Sequence, residues 1–504
     1  MSRVVKCPQE KKASACLGAN EFMRVAFLNP MFGKDFTKSA RWFAKSRGRV
    51  QRHPDYLCTA AATVRAAGHD VFFLDAQAKN LPMEAILPRL RNFRPDLIVH
   101  QATTPSIDTD IAAAARCKEA TGALNVLVGS HVTAEPDDTL ERAAGAVDAV
   151  AVGEYDYTLR SLADGTTIAQ CVGLAWRDGG RIVCNPRRPL IENLDELPYP
   201  AWDFIDINDY YDAGKLFPFL TLISGRGCFG QCSFCQLPQV MNGRAYRARS
   251  VENVLGEIEY DLRLFPNLKE IMFEDDTLVS RAGRDRLAQM CEEMIRRGLH
   301  LSWSGNARVD CNDPEIMRLM KRAGCRMLCV GFEFGDQRIL DNVHKGITLD
   351  QMRVFAENAY KARIRVHGCF MFGGPGETPE TARKTIELAQ RLRIDTAQFS
   401  GMVAYPGTTF YEWAKSNGCL IPTRWRDWVN DNLEQCATVR CPDLAVEQIN
   451  EFVDEGLRGF YLRPSQMWRM LRNIRSVADV RAKLHGLRSF VSYFREAKQP
   501  GPCQ

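Results

Sequence analysis

The stretch Ser224-Gly-Arg-Gly-Cys228-Phe-Gly-Gln-Cys232-Ser-Phe-Cys235 places three cysteines in a C-x3-C-x2-C array. The apolar run Phe219–Ile223 before it predicts a strand, and a helical pattern resumes near Ser250, so the thiols lie on a loop at a strand end. Glycines between the cysteines and before them allow that loop to wrap closely. Three thiolates on one loop suit three irons of a [4Fe–4S] cluster, which leaves the fourth iron open to bind a small molecule.

A structural zinc site is the simpler alternative for the same cysteines. Zinc takes four ligands, most often from two paired motifs. Other cysteines that could supply a fourth ligand form no second C-x2-C pair: Cys311, Cys325, Cys329 and Cys369. A zinc-binding protein without enzymatic activity therefore stays open as one hypothesis.

The cysteine array on a loop after a first strand resembles the radical S-adenosylmethionine (SAM) superfamily. In that family the open iron chelates the amino and carboxylate groups of SAM. An electron from the cluster then cleaves the sulfonium and produces a 5′-deoxyadenosyl radical, which removes hydrogen from an unactivated carbon. The resemblance implies an enzyme that uses a [4Fe–4S] cluster and SAM, with an external electron donor of the flavodoxin or ferredoxin type.

Residues 216–422 alternate six apolar strands with helices, which predicts a partial (β/α)6 barrel with its chemistry at the carboxyl ends of the strands. Motifs at those ends resemble the SAM-binding motifs of the family. The resemblance assigns contacts with SAM to Phe234, Glu274, Asp275, Asp276, Arg308, Glu333, Gly373 and Gly374. The acidic group is expected at the SAM ammonium, the arginine at its carboxylate, the later glutamate near the ribose and the glycines around adenine. Tyr405 is either a substrate-side candidate or a core residue.

Residues 23–165 also alternate continuous apolar strands with helices. This pattern predicts a doubly wound, Rossmann-like parallel sheet covered on both faces, with its ligand at the carboxyl ends of the strands. The candidate ligand residues at those ends are Thr103, Thr104, Ser106, Gly129, Ser130, His131, Gly153 and Glu154.

Short phrases in this region resemble the cobalamin (B12)-binding domain that precedes the radical domain in one subgroup of the superfamily. The phrases are Asn29-Pro30, Ala67-Gly68-His69, Arg94-Pro95-Asp96, Gly129-Ser130-His131 and Val152-Gly153-Glu154, and the segment Arg41–Leu57 is also similar. The D-x-H-x-x-G signature that supplies a histidine to cobalt is absent. The resemblance therefore implies cobalamin held without that histidine, and a vestigial domain that binds nothing is the alternative.

The remaining segments are a flexible extension at 1–22, a hairpin and linker at 166–215, and a helical, basic region at 423–504. The prolines of the linker disfavour helix. In the last region basic residues interleave with apolar ones, which is typical of a helix on an anionic membrane surface. A helix that packs on the barrel with a solvated basic face is the alternative.

Composition excludes several classes of protein. Eighteen cysteines scattered over 504 residues do not form a small secreted disulfide scaffold. A net charge of +5 is too mild to indicate nucleic acid, and no nucleic-acid-binding module is recognisable. No signal peptide or membrane-spanning stretch is visible. The expected location is the cytoplasm, with peripheral contact at the inner membrane surface if the basic helix binds lipid.

The function that these resemblances imply is cobalamin-dependent methylation of an unactivated carbon in a small hydrophobic substrate, such as a lipid, a hopanoid or a tetrapyrrole. A methyltransferase of this kind yields S-adenosylhomocysteine as well as 5′-deoxyadenosine. The alternative is a radical SAM enzyme that forms carbon–carbon bonds, closes rings or modifies lipids while its B12 domain is vestigial.

Overall fold

The N-terminal unit of the protein is a seven-stranded sheet with helices on both faces. The computed structural model describes residues 22–46 and 50–472, so all but the last residue of the expected extension at 1–22 and most of the basic C-terminal helix lie outside the described residues. The strands are β1 (Arg24–Asn29), β2 (Asp70–Asp75), β3 (Leu97–Gln101), β4 (Leu124–Val128), β5 (Ala149–Ala151), β6 (Leu174–Asp178) and β7 (Arg181–Cys184). The helices are α1 (Asp55–Ala66), α2 (Met83–Phe93), α3 (Ile107–Thr121), α4 (Ser130–Ala134), α5 (Pro136–Ala143) and α6 (Asp156–Ala163).

The strand order β2-β1-β3-β4-β5-β6-β7 confirms the doubly wound parallel sheet for its first five strands. The direction of winding reverses between β1 and β3, which is where ligands of such sheets bind. The last two strands run antiparallel and extend the edge of this sheet. The hairpin that the sequence assigned to the linker is therefore part of the first unit.

Helix α2 contains a proline in its interior and continues through Pro88 without a break. Proline removes one helical hydrogen bond. The carbonyl that loses its donor is that of Glu84, and both Glu84 and Pro88 are exposed.

The second unit is a partial barrel of six parallel strands in chain order, as predicted. The strands are β8 (Phe219–Leu222), β9 (Glu270–Phe273), β10 (Ser302–Ala307), β11 (Cys325–Glu333), β12 (Arg365–Phe372) and β13 (Thr396–Gly401). The helices are α7 (Gln236–Val240), α8 (Val251–Leu264), α9 (Arg284–Arg296), α10 (Pro314–Arg322), α11 (Gln337–Asn342), α12 (Leu349–Lys361), α13 (Pro379–Arg391) and α14 (Thr409–Ser416). Strand residues alternate: Leu328 and Val330 are fully buried in the apolar core, whereas Cys329 between them is only half-buried. The barrel therefore has an interior with room beside its inward side chains.

The C-terminal region departs from the helical prediction. Residues 423–445 contain only one short 3-10 turn, Trp425–Trp428, and α-helix begins at α15 (Val446–Tyr461) and continues as α16 (Pro464–Arg472). The indole of Trp425 donates to Asp138 of the first unit at 2.6 Å, and the indole of Trp428 donates to the Ala404 carbonyl of the second at 3.0 Å. Prediction from helical spacing was wrong here because these aromatic residues are placed to bridge two units. None of the described helices is long and apolar enough to cross a bilayer.

Buried ion pairs join the two units. Arg226, just before the cysteine loop, contacts Asp156 at 2.8 Å and Glu154 at 3.4 Å. Arg247, which lies opposite Arg226 in a short antiparallel ribbon, contacts Glu154 at 2.8 Å. The side chains of Arg226, Asp156 and Glu154 are at most 3% exposed. The carboxyl end of β5 is thereby fixed against the cysteine loop.

Candidate active site at the barrel mouth

The cysteine loop is held by main-chain contacts that a side chain at Gly227 would prevent. Gly227 has φ +92°, and a Cβ atom there would lie 2.1 Å from the Ala245 carbonyl oxygen. The amide of Gln239 donates to the carbonyls of Cys232 and Cys235 at 3.4 and 2.7 Å. The close wrapping expected from the glycines is therefore present in the structure.

The thiols themselves lie in a buried environment. Cys228 and Cys232 are buried, and Cys235 is half-buried. Burial raises the pKa of Cys228 and raises that of Cys235 to about 12. The N–H of Gly230 donates to the Cys228 sulfur at 3.4 Å, which favours its thiolate. Because thiolates are the ligands of iron, the burial of these sulfurs is offset when a cationic cluster binds them.

Three thiols on one loop match what a cubane cluster needs from a protein. Zinc requires four ligands around one centre. A cubane places each of its thiolates on a different iron. Cys228, Cys232 and Cys235 would supply three of these thiolates and leave the fourth iron open.

Replacing Gly227 with alanine tests the loop. Gly227→Ala meets both the positive φ and the backbone contact, so we expect the loop to shift and the iron bound after reconstitution to fall well below the wild-type content. Gly298→Ala is the matched control, because Gly298 has φ +64° but no atom within 4 Å of the added Cβ. Both variants carry a backbone cost of about 1 kcal/mol. Equal iron contents in the two variants would contradict the expectation.

The acidic group after β9 is the part of the expected SAM site with the most partners. Asp276 accepts from the Gly227 N–H at 2.7 Å and from the Asn242 amide at 2.8 Å. Asp275 accepts from the Ser224 N–H at 2.6 Å and its hydroxyl at 2.7 Å, which ties β9 to the start of the cysteine loop. Glu274 is buried and pairs with an arginine of the N-terminal unit.

Two further expected residues are Phe234, which lies in the cysteine loop, and Arg308, which contacts an aromatic ring of that loop. Arg308 lies 5.2 Å from the ring centre of Phe229 and pairs with Asp310 at 3.1 Å. The ammonium of Lys345 lies 5.9 Å from the ring centre of Phe234. The structure thus places a cation over each of two aromatic rings of the loop.

Glu333 has an unusual backbone at the end of β11. Its φ is +67°, which is costly for a residue other than glycine and marks functional sites. Its carboxylate accepts from Lys345 at 2.7 Å. The Glu333–Lys345 pair lies against Gly331, where a Cβ atom would be 2.1 Å from the Glu333 carboxylate. Glu333 is thereby held at the mouth, and its contact with the ribose of SAM stays a prediction from the sequence motif.

The expected adenine region after β12 is built on Gly373, Gly374 and Glu377. Gly373 has φ +95°, and a Cβ at Gly374 would lie 2.8 Å from Ile339. The buried Glu377 carboxylate accepts from both glycine N–H groups. The turn therefore brings main chain, rather than side chains, to the surface of the mouth.

Glu377 makes stability depend on pH. Burial raises its pKa to about 7, against about 4.3 in an unfolded chain. The folded state holds this proton more tightly, so the contribution to stability is full below about pH 4 and is lost as the pH rises through 7. The unfolding free energy of the wild-type protein, measured by urea denaturation, should fall by about 3 kcal/mol between pH 5 and 8. In Glu377→Gln most of this fall should be absent. Glu380→Gln, at an exposed glutamate in the first turn of α13, should behave as wild type. An unchanged pH dependence in Glu377→Gln would refute this.

The carboxyl edge of the N-terminal sheet carries the expected cobalamin residues, and some of them already have partners. Ser106 bonds to Thr103 and to Asp110, both at 2.6 Å. Asp110 in turn pairs with Lys38 at 2.5 Å, and both side chains are fully buried. Glu154 is taken up by the ion pairs between the units, and the Gly153 N–H donates to Thr133 at 3.1 Å.

Other polar groups at this edge have no partner in the structure. The Thr104 hydroxyl and both ring nitrogens of His131 are buried without a hydrogen bond. Burial also lowers the pKa of His131 to about 3, so its ring is neutral. Buried polar atoms without partners are costly, and a ligand rich in amides such as cobalamin would supply partners for them. The residues present therefore fit that cofactor, next to Gly129 and Ser130 at the start of α4.

The C-terminal segment covers this edge. The Trp425–Trp428 turn packs on Thr104–Ser106, and the ring of Trp425 lies 4.8 Å from that of His131. α4 also packs against α7, which follows the cysteine loop. The carboxyl edge of the sheet and the mouth of the barrel therefore face each other.

Residues that the sequence did not single out complete the mouth. Arg41 and Arg52 of the N-terminal unit reach Asp276 and Glu274. The only sequence signal for them was the similarity of the segment Arg41–Leu57 to the B12-containing subgroup. Tyr405, an expected substrate-side candidate, is half-buried and packs edge-on against Phe43 at 4.7 Å.

Comparison with known proteins agrees with this architecture. A sequence model of the Radical SAM superfamily matches residues 222–389, and one of the B12 binding domain matches residues 51–163. An uncharacterised methyltransferase of Pyrococcus horikoshii is 32% identical over 413 residues, which cover 81% of this chain and 87% of that protein. The chain therefore belongs to the radical SAM superfamily, in the group that carries a B12-binding domain, and it is a radical SAM enzyme.

Two more distant proteins share the same plan. The anaerobic magnesium-protoporphyrin IX monomethyl ester cyclase of Cereibacter sphaeroides is 29% identical over 408 residues, covering 77% of this chain and 63% of that protein. The solved structure of the radical SAM methyltransferase TsrM of Kitasatospora setae, with cobalamin and a [4Fe–4S] cluster bound, superposes with a TM-score of 0.69 at 16% identity. That superposition covers 94% of this chain and 100% of TsrM, and it shows a shared fold.

Proposed function

We propose that the protein is a cobalamin-dependent radical SAM methyltransferase that methylates an unactivated carbon of a small hydrophobic substrate. The observation that carries the proposal is the placement of the three-cysteine loop opposite the carboxyl edge of the N-terminal sheet, with α4 against α7. Two cofactors held at these two sites would face one space. The methyltransferase relative supports methyl transfer over ring closure.

Each site has its own chemical task. Cys228, Cys232 and Cys235 would hold the cluster, which when bound supplies the electron that cleaves SAM. Thr104 and His131 would bind cobalamin, which when bound supplies the methyl carrier. The residues around the barrel mouth would orient SAM. Phe229 and Phe234 of the cysteine loop would keep water from the cluster, and the Trp425–Trp428 turn would keep it from the sheet edge.

The interior of the barrel supports a hydrophobic substrate. Cys329, His367, Cys369 and Met371 on β11 and β12 are half-buried and alternate with fully buried residues, so they line the interior. Burial lowers the pKa of His367 to about 4 and raises the pKa of both cysteines. All four side chains are therefore uncharged near pH 7, and the Arg52 and Asp212 side chains near Cys329 and His367 pair with each other.

Product analysis tests the proposal. Protein purified and reconstituted without air should show the broad visible absorption of an iron–sulfur cluster and retain added cobalamin through gel filtration. With a reductant, SAM should be converted to 5′-deoxyadenosine, and with substrate to S-adenosylhomocysteine as well. Formation of 5′-deoxyadenosine without cobalamin binding would favour the alternative of a non-methylating radical enzyme. Protein that binds iron but leaves SAM intact would contradict both.

We also propose peripheral contact with a lipid surface through the last described helix. Leu462, Met467 and Trp468 are 51–63% exposed around α16. Such apolar side chains beside basic residues suit an interfacial helix. The protein should sediment with vesicles of anionic lipid, and Trp468→Ser should weaken this binding severalfold. Equal sedimentation of both proteins would contradict the proposal.

A further inference from the structure

Two arginines from the N-terminal unit enter the mouth of the barrel. The guanidinium of Arg41 donates to the Asp276 carboxylate at 2.5 Å and to the Glu274 carbonyl oxygen at 3.2 Å. Arg52 contacts the Glu274 carboxylate at 2.8 Å and Asp212 at 2.9 Å. Residues far apart in sequence thus build one cluster of alternating charges at the end of β9.

Arg41 is joined to the cysteine loop through one of its partners. Its partner Asp276 also accepts from the Gly227 N–H of that loop at 2.7 Å. The thiol of Cys235 lies within electrostatic reach of the Arg41 guanidinium. The Arg41 side chain is 21% exposed while Asp276 is 2% exposed, so the arginine keeps an open side.

The arginine expected from sequence to hold the SAM carboxylate is already engaged. Arg308 pairs with Asp310 at 3.1 Å, donates to the Lys345 carbonyl at 3.2 Å and stacks on Phe229. Arg41 is also paired, with Asp276 and Glu274, but its side chain is 21% exposed whereas that of Arg308 is 10% exposed. A free amino acid carries an ammonium and a carboxylate on one carbon, and adjacent opposite charges complement that pair.

We propose that Arg41 is a positioning residue for SAM, binding its carboxylate while Asp276 and Glu274 bind its ammonium, so that the SAM site is built by both units. This inference rests on the proposed function. A ligand that contacts both units stabilises their docking. Binding of SAM is therefore coupled to the seating of the segment around Arg41 on the barrel.

Equilibrium binding of SAM to the reconstituted protein tests this inference without a turnover assay. Arg41→Met should raise the Kd for SAM about 10- to 100-fold, as expected for loss of a charge-assisted hydrogen bond, while bound iron stays at the wild-type level. Arg65→Met removes an equally short but exposed pair with Asp203 and should leave the Kd unchanged. Arg308→Met should change the Kd less than Arg41→Met does.

Two results would overturn the inference. Wild-type affinity in Arg41→Met with normal iron overturns the inference, as does a larger loss in Arg308→Met. If Arg41→Met loses iron, Arg41→Lys replaces it: a severalfold weaker affinity then supports a forked contact, and an unchanged affinity overturns it. Failure of the proposed function itself would be visible in the unmutated protein, as absence of iron or of SAM binding.

Discussion

Protein carrying Cys232→Ser is expected to contain almost no iron after reconstitution and to produce no 5′-deoxyadenosine. Cys232 is 7% exposed on the loop between Cys228 and Cys235. A serine hydroxyl does not supply the thiolate that iron–sulfur clusters require. Two remaining thiolates would leave two irons without protein ligands, so the cluster would not persist.

Iron analysis and chromatography of the SAM products measure this effect. The wild-type protein should carry about four irons per chain. Cys184→Ser is the matched control, because Cys184 is exposed on β7 at the far edge of the N-terminal sheet. A Cys232→Ser protein with wild-type iron would refute the assignment of this loop as the cluster site.

Removal of the Arg226 side chain should cost more stability than any other single substitution considered. Arg226→Met leaves Asp156 buried without the cation that pairs with it, while Glu154 keeps Arg247. An unpaired buried charge costs about 3–5 kcal/mol. The unfolding free energy, measured by urea denaturation, should fall by that amount, and retention of cobalamin should fall with it because the two units separate.

The control for this stability effect is again Arg65→Met. Arg65 and Asp203 contact at 2.6 Å, but their side chains are 39% and 38% exposed. An exposed pair contributes about 0–1 kcal/mol. A similar loss in both variants would show that the buried pairs do not hold the units together.

Most of the two sheets could be predicted because their strands are continuous apolar runs. The run at Leu97–Gln101 and the run at Cys325–Glu333 are each followed by a polar or glycine-containing end and then a helix. Such segments specify both the strand and the side of the sheet on which the next connection returns. The cysteine loop was equally visible, since its three thiols are local in sequence.

Partners that lie far apart in sequence could not be predicted. The turn at Asp178-Gly179 indicated a hairpin, but no local pattern indicates that its first strand pairs with β5. Arg41 and Asp276 are 235 residues apart. Their contact depends on how two units dock, which periodicity does not encode. The same reason explains the failure at Trp425–Trp428, where contacts between units replaced helix.

The turn at Trp425–Trp428 has a consequence for biosynthesis. It closes over Thr104–Ser106, about 320 residues earlier in the chain. While the ribosome is still making the barrel, the carboxyl edge of the first sheet stays bare. A large cofactor meets an open edge during that interval, whereas in the complete chain it reaches the edge past this turn.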